Sequence, residues 1–185
     1  IMSLMMLMLL FLILNRHYNS YAAYEGKIDF LTSAMTRRAF FSACSRALKS
    51  VRNQTPPLGY FIMVDLDRFK EINDQYGHPE GDRAHKGVTH CLKETMGEQC
   101  IIGRMGGDEF AALLCEDIPA DELEASLKLF QARIHRIRWG EHHLTCSVGV
   151  FPVKAGLSPE ELYQEADRLL YAAKEQGRDR YVIGQ

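Results

Sequence analysis

The sequence predicts a single mixed α/β domain with one central sheet, and three observations carry this prediction. Helical and strand-like segments alternate from about residue 28 to the end of the 185 residues, without repeats or low-complexity runs. The apolar run Tyr60 to Val64 (YFIMV) has the composition of a strand that is buried on both faces. Strand-like runs also flank Gly106 to Glu109, which predicts a hairpin with two adjacent carboxylates at its turn.

The individual elements follow from local signals. A helical apolar spacing runs through TRRAFFSACSRALKSVRN, and TPPLG ends it before the YFIMV strand. Helical DRFKEINDQYG and HPEGDRAHKGVTHCLKETM precede the hairpin, and amphipathic PADELEASLKLFQARIHRI and alternating HLTCSVGVF follow it. Ser158 to Glu161 forms a capping box that begins the last helix, which is predicted to reach Arg178. The order β-α-β-β-α-β indicates a ferredoxin-like split βαβ sheet with flanking helices on one face.

Charge and cysteine content exclude some classes of protein. Lys and Arg number 22 against 24 Asp and Glu, a net charge of -2, so no global basic field indicates a nucleic-acid partner. The five cysteines are scattered and never form a C-x-x-C pair, which is typical of reduced thiols in a cytosolic compartment. At this length the chain has room for one domain and an appended segment.

The first 14 residues, IMSLMMLMLLFLIL, are apolar except for Ser3, and a polar stretch follows them. As a helix they would reach roughly 21 Å, less than the roughly 30 Å hydrocarbon core of a bilayer. Because the sequence begins with Ile1 rather than Met, we expect residues 1–28 to hold the end of a membrane-spanning or signalling helix and a linker. The domain at 29–185 is then expected on the cytoplasmic side. A signal-peptide core and a helix that pairs with a partner chain are the alternatives.

Carboxylates gather where the predicted strands end. Asp65 and Asp67 follow YFIMV directly, and the hairpin strand that begins near Glu109 is expected to lie beside this strand. Asp65, Asp108 and Glu109 would then repel one another unless a cation joined them, and oxygen ligands without His or Cys favour Mg²⁺ or Mn²⁺. Since such an ion completes its shell with substrate phosphates, a nucleoside triphosphate is the expected substrate class. Taken alone, the glycine pair is a tight turn and Asp65 a solvated strand end.

Four sequence blocks occur in an order and spacing shared with a known family. They are DLDRFKEINDQYGHPEGD at Asp65 to Asp82, RMGGDEF at Arg104 to Phe110, SVGV at Ser147 to Val150 and ADRLLYAAKEQGRDR at Ala166 to Arg180. Together they resemble the GGDEF family of diguanylate cyclases, from about Asp29 to about Ile183. The resemblance implies the nucleotidyl cyclase palm type of fold, with the hairpin bearing the active-site motif.

The resemblance implies that two GTP molecules are condensed into cyclic di-GMP with release of two pyrophosphates. It assigns Asp65, the backbone carbonyl of Leu66, Asp108 and Glu109 to divalent ions, Mg²⁺ or Mn²⁺. It also gives Asp108 the task of orienting or deprotonating the attacking ribose 3′-hydroxyl. Asp65, Asp108 and Glu109 are thus the expected catalytic residues, which agrees with the dominance of positioning and charge neutralisation in phosphoryl transfer.

The resemblance further implies substrate contacts. Asn73 and Asp82 would bind the guanine edge, because a carboxylate accepts from the N1 and N2 hydrogens and an amide can meet O6 or N3. The expected triphosphate contacts are Phe69, Lys70, Lys174 and Arg178. Without the family pattern, these residues have ordinary explanations: a helix-terminal amide, an acid at a helix N-terminus, and cations that stabilise the dipole of the last helix.

Several positions depart from the family pattern. The opening motif D-x-L-T-G-L-x-N-R-R stands here as DFLTSAMTRR, with Ser33 in place of glycine, which affects coupling to the upstream segment rather than the chemistry. His85 replaces an apolar residue and Asp179 replaces Asn, and both changes are expected to be tolerated. Gly97 and Cys100 replace the Arg and Asp of the R-x-x-D site at which cyclic di-GMP inhibits many members, so we expect no inhibitory site.

Other histidines are expected to be structural. His78 opens a helix beside Gly77 and Pro79, which favours a packing or hydrogen-bonding role. His142 and His143 suggest a metal site, but adjacent strand residues point to opposite faces, so the pair is not expected to chelate jointly.

A two-fold symmetric product requires two facing domains, so the active form is expected to be a homodimer. The N-terminal segment would regulate that pairing in a bacterial inner-membrane protein. One alternative is a GGDEF domain that binds GTP or an effector without catalysis, which the intact Asp65, Asp108 and Asn73 oppose. The other is a ferredoxin-like RNA-binding module, which would need a basic strand with aromatic residues that the sequence does not offer.

Overall fold

A computed structural model describes residues 26–51 and 59–185 together with Met8. The elements in these ranges are β1 (Met35–Thr36), α1 (Arg37–Val51), β2 (Tyr60–Leu66), α2 (Phe69–Tyr76), α3 (His78–Met96), β3 (Ile101–Gly106), β4 (Glu109–Leu114), α4 (Ala120–Ile134), β5 (Arg138–Trp139), β6 (His142–His143), β7 (Cys146–Pro152), α5 (Pro159–Glu175) and β8 (Tyr181–Ile183). The expected membrane segment lies outside the described residues apart from Met8, and no helix within them is long and apolar enough to cross a membrane.

The main sheet has six strands in the order β1-β3-β4-β2-β7-β8. Strand β2 lies at its centre and runs antiparallel to both β4 and β7, while β1 is parallel to β3 and β8 is parallel to β7. Strands β3 and β4 form the predicted hairpin, with an irregularity between Arg104 and Gly106. The mixed α/β fold with split βαβ connectivity is therefore confirmed.

Helices cover both faces of the sheet, so the expectation that they lie on one face is wrong. Alternate residues of β2 enter two separate cores, with Ile62 and Val64 in one and Phe61 and Met63 in the other. The first core also contains Ala84, Val88, Leu92, Leu123, Leu127 and Phe130 from α3 and α4. The second contains Phe40, Cys44, Leu162, Ala166, Leu169 and Leu170 from α1 and α5. The continuous apolar run of β2 requires this two-sided cover because both of its faces are buried.

The last helix begins at the predicted capping box, in which the Ser158 hydroxyl accepts from the Glu161 backbone N–H. It ends at Glu175, so the prediction that Arg178 shares a helical face with Lys174 is wrong. Gly177 adopts φ 112°, its N–H donates to the Lys174 carbonyl, and the Arg178 N–H donates to Ala173. This pair of bonds is a Schellman motif, which a glycine in a left-handed conformation allows.

The predicted strand HLTCSVGVF is divided in the structure. Cys146–Pro152 forms β7, whereas His142–His143 pairs with Arg138–Trp139 in a separate two-stranded ribbon. Leu144 lies between them, fully buried, and its N–H donates to the Ile137 carbonyl. This bond continues the pairing of the ribbon towards the turn that follows α4, and the ribbon does not extend the main sheet.

Candidate active site

Asp65 and Glu109 face each other on neighbouring antiparallel strands. They are register partners at the last pair of the β2–β4 ladder, where the hairpin turn begins. Asp65 is 8 % exposed and Glu109 is half-buried. Side chains of directly paired residues lie on the same face of a sheet, so both carboxylates project to one side of this edge. The structure thus brings these two expected residues together.

Asp108 occupies the hairpin turn beside them. Its carbonyl accepts a 3.2 Å hydrogen bond from the Leu66 N–H, which fixes the turn against the end of β2. Gly106 and Gly107 have positive φ values of 150° and 52°, and a Cβ added to either would meet nothing within 4 Å. The glycines therefore serve the backbone conformation and leave the space above the turn open.

The guanidinium of Arg104 stabilises this turn by hydrogen bonds to its backbone. Its Nη2 and Nε donate to the Gly107 carbonyl at 2.9 and 3.1 Å, and its Nη1 lies 3.4 Å from the Asp29 carboxylate. Arg104 therefore connects the opening segment of the domain to the loop that carries Asp108.

Lys174 supplies the opposite charge to the acidic group. Its Nζ lies 2.9 Å from Asp65 Oδ2 across the interface between α5 and β2. Burial raises the pKa of Asp65, and the charges of Asp108 and Glu109 add to this, while the hydrogen bond and charge of Lys174 oppose it. The site thus holds more negative charge than one lysine neutralises, as a cation site requires.

Asn73 and Asp82 lie where α2 crosses α3. A Cβ added to Gly81 would stand 2.1 Å from Asn73 Oδ1. The amide of Asn73 therefore occupies space that only a glycine at position 81 leaves free. Asp82 follows Gly81 directly and is exposed. The two residues expected to bind guanine are therefore carried by adjacent helices in close contact.

Phe69 and Lys70 begin α2, directly after the acidic strand end. Arg68 precedes them in the left-handed conformation at φ 54°, which turns the chain sharply from β2 into the helix. The Phe69 ring packs against His85 with the ring centroids 4.3 Å apart, and Lys70 is exposed. Arg178 is also exposed, on the turn between α5 and β8.

Asp67 has a structural position that the sequence did not assign. Its buried carboxylate accepts from the Thr145 and Ser147 hydroxyls at 2.9 and 2.7 Å and from the Asp179 N–H at 3.0 Å. It therefore joins the end of β2 to the start of β7 and to the turn that contains Arg178. The sequence feature that could have indicated this role is the position of Asp67 in the D-L-D sequence directly after a buried strand.

His85 is the other residue whose role the sequence did not show. It is buried between Phe69 and Phe110, and Arg104 Nη2 lies 3.2 Å from its Nδ1. Arg104 Nη2 also lies 3.4 Å from His85 Nε2. Because a guanidinium can only donate, the ring nitrogen that it bonds must accept, which requires a neutral imidazole. Burial, with a smaller contribution from Arg104, lowers the pKa of His85 to about 4.

The donor set fits a hard divalent cation. Asp65, Asp108 and Glu109 offer carboxylate oxygens at one edge of the sheet, and the burial of Asp65 among like charges leaves a demand for positive charge. Oxygen donors of this kind suit Mg²⁺ and Mn²⁺.

This fold and site define a mixed α/β domain with an acidic hairpin, and comparisons with known proteins identify its family. Residues 26–180 match the family described as diguanylate cyclase, GGDEF domain. The chain is 33% identical over 162 residues to the probable diguanylate cyclase DgcT of Escherichia coli, covering 84% of this chain and 35% of that protein. It is 32% identical over 166 residues to the diguanylate cyclase TpbB of Pseudomonas aeruginosa, covering 86% and 38%.

Comparison with solved structures shows a similar fold in a GGDEF domain. The coiled coil and GGDEF domain of DgcB from Caulobacter crescentus, solved with c-di-GMP, superposes with a TM-score of 0.79 at 24% identity over 94% of this chain and 93% of that one. The chain belongs to the GGDEF family of diguanylate cyclases. It spans about a third of the length of the curated relatives named above.

Proposed function

We propose that the chain is an active diguanylate cyclase, which condenses two GTP molecules into cyclic di-GMP and releases two pyrophosphates. The observation that carries this proposal is the pairing of Asp65 with Glu109 beside Asp108, with Lys174 bound to the same acidic group. A domain of this family that had lost catalysis would not need to keep Asp65 buried beside Asp108 and Glu109, whose negative charges disfavour its ionised form.

Each residue has a task that its position supports. Asn73 and Asp82 bind the guanine edge, and Phe69, Lys70 and Lys174 bind the triphosphate through backbone and side-chain donors. Arg178 reaches the phosphates from its turn rather than from the helix. Asp108, at the open hairpin, orients the 3′-hydroxyl and takes up its proton as the oxygen attacks the α-phosphate of the other GTP.

Asp65, Glu109, Asp108 and the carbonyl of Leu66 would hold Mg²⁺ or Mn²⁺. When bound, the ion neutralises phosphate charge and so lowers the barrier to displacement of pyrophosphate.

We propose that the active form is a homodimer. One chain has one guanine site, whereas the product contains two nucleotides in equivalent positions, so two sites must face each other across a two-fold axis. The space above Gly106 and Gly107 is open, which leaves the turn accessible to the nucleotide of a second chain.

We also propose that residues 1–14 attach the chain to a bacterial inner membrane with the domain on the cytoplasmic side. Recovery in the soluble fraction after cell lysis would contradict this attachment.

The test is incubation of the chain, alone and as a forced-dimer fusion, with GTP and Mg²⁺, followed by mass spectrometry for cyclic di-GMP. Asp108→Ala should abolish the product, while Asp117→Ala, an exposed acid after the hairpin, should not. GTP binding is measured on the same samples. A folded dimer that binds GTP and forms no product would show instead a non-catalytic GTP-binding domain.

A further inference from the structure

Three side chains capable of binding a metal meet outside the acidic site: His135, His143 and Asp179. His135 Nε2 lies 2.7 Å from Asp179 Oδ1, and the two imidazole rings are 4.9 Å apart between centroids. One potential ligand atom from each residue lies within 4.8 Å of the other two. None of the three has a task in the proposed reaction.

The backbone at each of these residues is fixed by its surroundings. His135 caps α4, with its N–H bonded to the Gln131 carbonyl. His143 is paired with Arg138 in the ribbon, next to the fully buried Leu144. Asp179 donates its N–H to the buried carboxylate of Asp67. Three separate segments are thus held so that only side-chain rotation is needed to adjust the cluster.

We propose that His135, His143 and Asp179 form a binding site for a borderline divalent transition metal, of which Zn²⁺ is the representative. Two imidazole nitrogens and a carboxylate oxygen are a ligand set typical of zinc, and the exposed side of the cluster admits water as the fourth ligand. Zinc–ligand bonds of about 2.0–2.2 Å place tetrahedral ligand atoms roughly 3.4 Å apart. This spacing lies between the 2.7 Å that separates His135 Nε2 from Asp179 Oδ1 and the 4.8 Å within which all three ligand atoms lie.

Imidazole also separates this site from the acidic one. Mg²⁺ prefers oxygen ligands, whereas nitrogen ligands favour zinc and its neighbours in the transition series. The two sites would therefore select different metals from a mixture.

The site depends on a residue that departs from the family pattern. Asp179 stands where the family pattern has Asn, and a neutral amide is a much poorer ligand for zinc than a carboxylate. The positive charge of Arg138, whose Nε donates to the His135 carbonyl, opposes cation binding. We therefore expect weaker binding than in a closed site with four protein ligands.

The simpler role for the cluster is an ion pair between His135 and Asp179, and the experiment must distinguish the two. The full chain is stripped with a chelator and titrated with Zn²⁺ by calorimetry in excess Mg²⁺, which occupies the acidic site. Asp179→Asn and His143→Ala remove one ligand each. Both positions are exposed, and Asn tolerates the φ of 47° at residue 179.

His142→Ala is the matched control, because His142 is adjacent in sequence and its ring lies near Tyr76 instead. We expect one Zn²⁺ per chain in the wild type and in His142→Ala, and at least tenfold weaker binding in the other two variants. Because the metal joins three segments, Tm should rise by roughly 5–10 °C when free Zn²⁺ is about 100-fold above Kd.

Binding of Co²⁺ in place of Zn²⁺ identifies the ligands. We expect visible d–d absorption without a thiolate charge-transfer band. No zinc bound by the wild type, equal affinity in all four proteins, or a thiolate band from the cysteines would each overturn the proposal.

Discussion

Lys174 donates to Asp65 across the acidic site, with 2.9 Å between Nζ and Oδ2. The ion pair connects α5 to the end of β2, which the packing of that helix on the sheet already brings together. Asp65 is the carboxylate assigned to the cation, and Lys174 is the amine assigned to the triphosphate. The structure therefore shows the two residues neutralising each other, in an arrangement that a bound cation and phosphates would replace.

Lys174→Met tests this exchange. The substitution keeps the length of the stem and removes the charge, so we expect GTP affinity to fall by about 10–100-fold, the range for a lost hydrogen bond between charged groups. Nucleotide binding is measured by calorimetry with Mg²⁺ present. Lys128→Met serves as the control, because Lys128 pairs with Glu124 on α4 and has no task in the site. Equal loss of affinity in both variants would contradict the assignment.

Gly81→Ala tests the placement of Asn73. The added methyl would stand 2.1 Å from Asn73 Oδ1, so the amide must leave its position. We expect the KM for GTP to rise about tenfold and discrimination against ATP to weaken, since recognition of a base edge depends on placed polar groups. Thermal stability should change little, because alanine favours a helix by about 1 kcal/mol over glycine and offsets the displacement.

The control for this substitution is Gly87→Ala on the same helix. Its added methyl approaches only the tip of the Ile137 side chain, at 2.4 Å, and this end can rotate away. Gly87→Ala should therefore leave KM unchanged. An unchanged KM in Gly81→Ala as well would show that Asn73 does not bind the substrate.

Much of the fold and the geometry of the acidic group could be predicted from the sequence, since both rest on local patterns. The apolar run of β2 and the hairpin at Gly106 indicated that β2 and β4 lie side by side. This pairing brings Asp65 opposite Glu109. The side on which the helices lie could not be derived in the same way, because the run Tyr60 to Val64 is apolar without alternation and does not favour one face of the sheet.

Side-chain contacts between elements that no strand pairing connects could not be predicted. Arg104 and His85 are 19 residues apart, and His135 and Asp179 are 44 residues apart, so no spacing rule connects them. The end of the last helix was missed for a local reason. Lys174 and Arg178 are four residues apart, which suggested a common helical face, but the helix ends at Glu175 and Gly177 turns the chain before Arg178.

His85 predicts a loss of stability in mild acid. Its pKa is about 4 in the folded chain against the usual 6.5, so the unfolded chain binds the extra proton between these values. Stability is therefore fully present above about pH 6.5 and decreases as the pH falls towards about 4, by about 1–3 kcal/mol from this residue.

His85→Leu should remove that part of the decrease, since leucine cannot be protonated and has a similar size. Urea unfolding at several pH values measures the effect. His90→Leu, at an exposed position of the same helix, is the comparison. A slope of stability against pH that is the same in His85→Leu and the wild type would contradict a buried neutral imidazole.

Ser33→Gly should stabilise the domain. Ser33 has φ 58°, a left-handed conformation that costs a residue with a side chain about 1–2 kcal/mol. Glycine removes this strain but adds freedom to the unfolded chain, so we expect a net gain of roughly 0.5–1 kcal/mol in the free energy of unfolding. Chemical denaturation measures it. Ser42→Gly, inside α1, should instead lose stability. Loss in both variants would show that Ser33 is not strained.

From the residues of the loop between α3 and β3, we expect that cyclic di-GMP does not inhibit turnover by binding there. Gly97 has φ 83°, which disfavours an arginine there, and Glu98 adds a negative charge that repels phosphate. Burial raises the pKa of Cys100 to about 12, so its thiol is neutral and cannot replace a carboxylate. The loop therefore lacks both charges of an R-x-x-D site.

The measurement is the initial rate at saturating GTP with increasing cyclic di-GMP. Saturating substrate suppresses competition at the active site, so any inhibition that remains must arise at a second site. We expect an unchanged rate, and the same rates in Glu98→Gln. Inhibition that persists at saturating GTP and becomes stronger in Glu98→Gln would contradict the prediction, because it would place the product beside this loop.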